Sequence, residues 1–199
     1  MNVIVELPRT WVASLERRLV TATSQTPSPF TGTTEVQDWG GEWWEYEIEF
    51  AAQSGPLARS VGAALTALGS GRGLLLLADP SIEAKTLAQT ITLQLAVSSG
   101  NLLQTQGWPP GSPAVLSGDF ISIGSGRGTR LHQVGFDVVA NANGQAALTI
   151  FPAIRSSLPV GTVLEVNQPK VLLRPTSSVP TRIERVARHQ FTMSAREAI

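Results

Sequence analysis

The chain of 199 residues contains no cysteine, so disulfides, thiolate metal sites and a cysteine nucleophile are excluded. Histidine is almost as scarce: His132 and His189 stand alone and far apart. Neither has metal-ligand spacing to a second histidine, and no His-Glu-x-x-His or Gly-x-Ser-x-Gly stretch is present. Charge is sparse and evenly split, fifteen basic against fifteen acidic residues. No global field therefore favours nucleic acid or an anionic membrane. A net charge near zero gives little protection against self-association, which suits a protein working inside an assembly. Long apolar runs are missing too. The longest, 74–78, falls far short of the roughly 20 residues that span a bilayer. The stretch MNVIVELPRTW has no basic segment leading into an apolar run, so no signal peptide is expected and the chain reads as soluble.

What is present is strand pattern. The hydrophobic content of 42% supports a core. Residues 44–50 are the clearest strand: Trp44, Tyr46, Ile48 and Phe50 point one way, Glu45, Glu47 and Glu49 the other. Each buried aromatic removes about 150–250 Å² from water, so this strand anchors a core. Residues 14–23 alternate as a strand, with a short helix as the alternative, and the run TSQTPSPFTGTTE after them reads as an irregular loop. A helix is predicted over 56–68, with Leu57, Val61, Ala64, Leu65 and Leu68 at helical spacing and Gly69 as its cap. Further strands are expected at 74–77, 90–97, 162–166 and 171–174; in the tail from Thr181 a helix or a final edge strand would fit, and the alternation of Phe191 and Met193 favours the strand. Between them, 105–155 forms a small β module, with strands near Phe120–Ile123, Leu131–Val138 and Leu148–Phe151. Asn143-Gly144 is read as its type I′ hairpin turn. About ten strands and one helix make the chain mainly β.

The residues that suggest chemistry have plainer readings beside them. Gly-Ser-Gly-Arg-Gly occurs at 69–73 and 124–128. A phosphate cradle would need a strand before it and a helix after it, so turn and cap roles are expected instead. Glu45, Glu47 and Glu49 stand roughly 6.5–7 Å apart along one strand face. That spacing suits paired catalytic carboxylates or a hard metal, but a solvated or interface face, opposing Arg17 or another subunit's arginines, is the commoner outcome. Asp119 is expected to serve its own turn, and His132 to be packed or on the surface. Trp108, before Pro109-Pro110, either packs in a core or stacks on a sugar or partner. The tail arginines, Arg182, Arg185, Arg188 and Arg196, are interspersed with Glu184 and Glu197, which makes an ion-pair surface more plausible than a nucleic-acid patch. No catalytic residue, cofactor or metal site is expected.

Three segments in order, EWWEYEIEF (42–50), GPLARSVGAALTALGSGRG (55–73) and LLLLADP (74–80), resemble the N-terminal part of distal tail proteins of long-tailed bacteriophages. Upstream, SPFTGTTEVQDWGGEWW fits the same pattern. QTQGWPPGSPAVLSGDFISIG, TRLHQV and NANGQAALTIFPAIR are similar to a segment recurring in minor tail proteins. Together these cover most of 26–155. The resemblance implies a tail-tube-like split β-barrel domain with one helix, formed by 1–80 together with 166–199, and an inserted OB-like barrel or β-sandwich at 81–165. It implies a structural virion protein at the tail tip, built in the host cytoplasm. Such a protein forms a hexameric ring that joins the tail tube protein to the hub and fibre proteins, with no nucleic-acid specificity and no membrane insertion. Glu45, Glu47 and Glu49 against Arg182, Arg185 and Arg188 are then the expected two sides of a subunit contact. Trp108 and Arg127 are the expected peripheral contacts, or, if the protein is a carbohydrate-binding module, part of a sugar site.

Overall fold

A computed structural model describes residues 3–183 and 188–199. The first part of the chain gives strands β1 (Ile4–Leu7), β2 (Val12–Pro27) and β3 (Thr34–Gln53), helix α1 (Gly55–Leu68) and strand β4 (Leu74–Ala78). The middle gives β5 (Ile91–Leu93), β6 (Gly100–Gln106), β7 (Pro113–Val115), β8 (Phe120–Ile123), β9 (Arg130–Val134), β10 (Val138–Val139), β11 (Gln145–Ile154) and β12 (Val163–Glu165). The last part gives β13 (Lys170–Pro175), β14 (Thr181–Ile183) and β15 (His189–Glu197). The protein is mainly β and contains a closed antiparallel barrel.

Strands from both ends of the chain build one seven-stranded sheet in the order β1-β4-β13-β15-β3-β2, with β14 also beside β15. Only β1 and β4 run parallel within it. The middle strands close into a barrel in the order β11-β6-β5-β12-β8-β9, while β7 and β10 pair as a separate ribbon. The first unit is thus an open sheet with two edges, and closure occurs in the second.

One face of β3 carries Trp44, Tyr46, Ile48 and Phe50, all buried. Against them lie Phe191 and Met193 of β15, Leu75 and Leu77 of β4, and Val61, Leu65 and Leu68 of α1. The helix ends at Gly69, which adopts a positive φ of 54° and donates its N–H to Thr66. The second Gly-Ser-Gly-Arg-Gly segment forms the turn joining β8 to β9, with Gly124 at φ 88°. Both copies serve turns. The barrel interior holds Ile91, Leu93, Leu103, Ile121, Ile123, Val134, Leu148, Ile150 and Leu164.

Several sequence expectations need correction. The irregular loop after Thr23 is regular: β2 runs to Pro27 and β3 begins at Thr34, so the turn is confined to 28–33. The proline at position 27 closes the strand at an edge, where no ladder donor is needed. Val97 forms only an isolated bridge to Leu158, leaving β5 as three residues. Asn141 to Gly144 is a four-residue turn, with Gly144 N–H donating to Asn141 C=O at 3.0 Å. Ala142 and Asn143 are its central residues, not Asn143 and Gly144.

Candidate functional site

The sheet and the barrel are joined by specific contacts. The Trp44 indole donates to the carbonyl of Leu131 in β9 at 2.9 Å and packs against Phe120 of β8 with ring centroids 5.8 Å apart. The guanidinium of Arg17 lies 4.0 Å from the Phe120 ring centre and pairs with the buried carboxylate of Asp79, which also accepts from the Tyr46 hydroxyl at 3.3 Å. Burial, with the Asp79 charge second, pushes the Tyr46 hydroxyl well above its usual pKa. Lys85 pairs with Asp119, whose carboxylate also accepts the N–H of Leu116, the turn role expected for it.

Two glutamates complete the joint where the barrel seam opens. Strands β9 and β11 pair only at Val134–Ile150 and Gln133–Phe151. Beyond that point β9 and β11 need other partners. Glu197 accepts the N–H of Leu131 at 3.2 Å and the N–H of Trp44 at 3.4 Å, and Glu42 accepts the N–H of Ala153 at 3.0 Å. Carboxylates from the sheet thus stand in for missing ladder partners in the barrel. Burial raises the Glu197 pKa against the lowering by its two backbone donors. Neither Glu42 nor Glu197 carries a sequence signal, because both roles exist only once two distant segments meet.

A cavity of about 180 Å³ opens at this seam, walled by Ile123, Ile154 and Leu158 with Arg130, Arg155 and His132 among its polar groups. His132 is buried, and its Nδ1 bonds the Pro152 carbonyl at 2.7 Å. Since a carbonyl only accepts, Nδ1 carries a proton. Burial depresses its pKa to about 4. His132 is therefore a packed residue. Among the described residues, no group of three acidic or histidine side chains has the arrangement of a metal site, and no helix is long and apolar enough to cross a membrane.

Among the described residues no second layer covers the acidic face of β3, since α1 and the barrel lie on its opposite side. Its immediate neighbours come from the flanking strands. Glu45 stands between Arg18 of β2 and Arg196 of β15, Glu47 between Glu16 and Ser194, and Glu49 between Ser14 and Thr192. Arg18 binds Glu45 at 2.7 and 3.0 Å, and the Trp43 indole donates to the same carboxylate at 3.1 Å. The Trp43 donor first, then Arg18, holds the Glu45 carboxyl below its ordinary pKa. The expectation that Arg17 opposes this face is overturned, because Arg17 lies opposite Tyr46 and points to the core side, where it pairs with Asp79. The tail arginines are divided along the sheet. Arg196 sits beside Glu45 within one molecule, and Arg182 lies opposite Gln190, whose amide binds Glu49. Arg182 and Arg188 are exposed at the far end of the sheet, while Arg185 lies outside the described residues.

Trp108 is not a peripheral contact. It is 2% exposed, lies in the barrel core, and its indole donates to the Thr105 hydroxyl at 2.8 Å. Its face is therefore unavailable for stacking on a sugar. Arg127 is exposed in the β8–β9 turn.

The most exposed apolar residues lie elsewhere. Beyond Glu45, β2 is the one strand beside β3 among the described residues, and from Gly40 to Thr34 the pair projects as an exposed two-stranded arm of roughly 20 Å at the usual rise. Phe30 at its tip is 95% exposed, Trp39 70% and Val36 59%. The sequence here sets two aromatics among Ser, Thr and Gly, and its prolines alone point to a loop.

An open sheet bearing a closed barrel and a projecting arm is therefore what this sequence builds. Comparison with known proteins finds no matching family model and no curated protein of similar sequence.

Proposed function

We propose that this protein is a self-assembling structural subunit of a virion tail, forming a ring at the tail tip between tube and hub. The arm carries this reading. Residues 23–27 and 29–40 are all exposed, with no third strand or helix against them among the described residues. A two-stranded ribbon alone in water is marginally stable. Contact with another surface would complete its packing and cover Phe30, Val36 and Trp39.

The bare sheet face supports the same conclusion. Glu16 and Glu47 lie directly opposite each other, and like charges in that position are destabilising. A partner's cation on this face relieves that repulsion. The resemblance of most of 26–155 to phage distal and minor tail proteins suggests the particular assembly, including its hexameric number and its tube, hub and fibre partners. The purified chain is expected to form rings with an axial opening under negative-stain microscopy. Uniform particles of monomer size across micromolar concentrations would reject the reading.

A further inference from the structure

The arm and the tail strand occupy opposite ends of one sheet. Strand β15 lies along β3 from Arg196 beside Glu45, at the base of the arm, to His189 beside Gln53. Those eight steps span roughly 26 Å. Strand β14 pairs with β15 at the second end, opposite His189–Phe191. An arm pointing away from the sheet at the first end cannot fold back to β14 of its own chain.

The two ends are complementary. From position 19 to 41 the sequence contains Glu35 and Asp38 and no lysine or arginine. The arm thus carries net negative charge, with Phe30, Val36 and Trp39 exposed on it. The β14 end presents Arg182 and Arg188, both exposed, around Ile183, which is 64% exposed. Neither arginine makes an ion pair among the described residues. Among the described residues, β14 is paired along one edge only, and a free strand edge must be covered or paired.

Resting on the self-assembly reading above, we infer that the arm of one copy docks on the β14 end of the next, with Glu35 and Asp38 meeting Arg182 and Arg188. Such a contact is heterologous. Each copy offers a different surface to each neighbour, and the chain of contacts closes into a ring when its rotation permits. The charges choose the partner surface, because arm against arm and β14 against β14 would each place like charges together.

Charge reversal tests the pairing. E35K/D38K reverses the arm and R182E/R188E reverses the β14 end. Sedimentation velocity and native mass spectrometry are run on wild type, on each variant and on their equimolar mixture. Wild type should assemble, each variant alone should assemble at least tenfold more weakly, and the mixture should regain the wild-type size with the two variants in equal numbers. Recovery on mixing also shows that both variants are folded. If wild type assembles while either variant assembles equally well, or the mixture stays apart, this contact is wrong and self-assembly stands. A monomeric wild type overturns self-assembly, and this contact with it.

Discussion

The side chain of Trp44, in the sheet, donates its N–H to the backbone carbonyl of Leu131, in the barrel. Around this bond the two cores become continuous, since Phe120 and Leu131 of the barrel pack in the same cluster as Tyr46 and Phe50. Trp44→Phe removes the bond and part of the buried ring. It is expected to cost about 1–3 kcal/mol. Urea unfolding followed by circular dichroism checks the value. A change below a few tenths of a kcal/mol would mean the two units are held together elsewhere.

The Arg17–Asp79 pair is the most buried of the ion pairs found among the described residues. Removing Arg17 strands a buried carboxylate beside the Tyr46 hydroxyl, and breaking such a pair typically costs about 3–5 kcal/mol. Arg17→Met should be the harsher single change, and Arg17→Met with Asp79→Asn should recover a large part of the loss. A double-mutant cycle by chemical denaturation measures the coupling. Additive single effects would show that the pair contributes no mutual stabilisation.

Stability should depend on pH through His132. Its folded pKa of about 4 lies below the ordinary value of 6.5. Between those values the unfolded chain binds a proton that the folded one does not, so stability falls as pH drops from 6.5 to 4. The difference corresponds to roughly 3 kcal/mol at about 1.4 kcal/mol per pH unit. Glu197 acts in the opposite sense: its raised pKa favours the folded state at low pH, and that gain is lost as pH rises above the ordinary carboxylate value. His132→Leu should flatten the acid limb of a Tm-against-pH curve, and Glu197→Gln should steepen it. An unchanged acid limb in the His132 variant would contradict this assignment.

Gly144 needs its missing side chain. At φ 70° it lies in the left-handed region, and a Cβ there would stand 2.4 Å from the Trp108 carbonyl. Gly144→Ala carries the left-handed cost of about 1–2 kcal/mol plus that collision. Its Tm should fall clearly below that of Gly126→Ala, where φ is also positive but the space is open. Equal Tm losses would show that the Trp108 backbone yields without cost.

How much was legible in the sequence depended on whether a residue's surroundings were local. The alternation of Trp44 to Phe50 and the 3.6-residue spacing of Val61, Leu65 and Leu68 placed β3 and α1, because each buries one face against a single core. The arm was misread because both its faces are exposed, so no apolar alternation marks it. Strand β6 was missed for a related reason: its first three residues are exposed, and only Leu103 and Thr105 face inward. Arg17 and Arg18 are neighbours in sequence, yet one is paired in the core and the other on the acidic face. Only the register with Tyr46 and Glu45 decides which is which. Trp108 offered two readings, and the hydroxyl of Thr105 settles it in the core. The joint made by Glu42 and Glu197 was invisible, since its donors lie 111 and 66 residues away for Ala153 and Leu131.

The central claim is that the arm completes its packing on another molecule. Replacing 24–37 with a short turn leaves the sheet strands opposite β15 intact, so the fold should survive by circular dichroism. Sedimentation velocity of the full chain and of the shortened one then decides. The account predicts an assembly for the full chain and a monomer for the shortened chain. A shortened chain that assembles as well as the full one would contradict it.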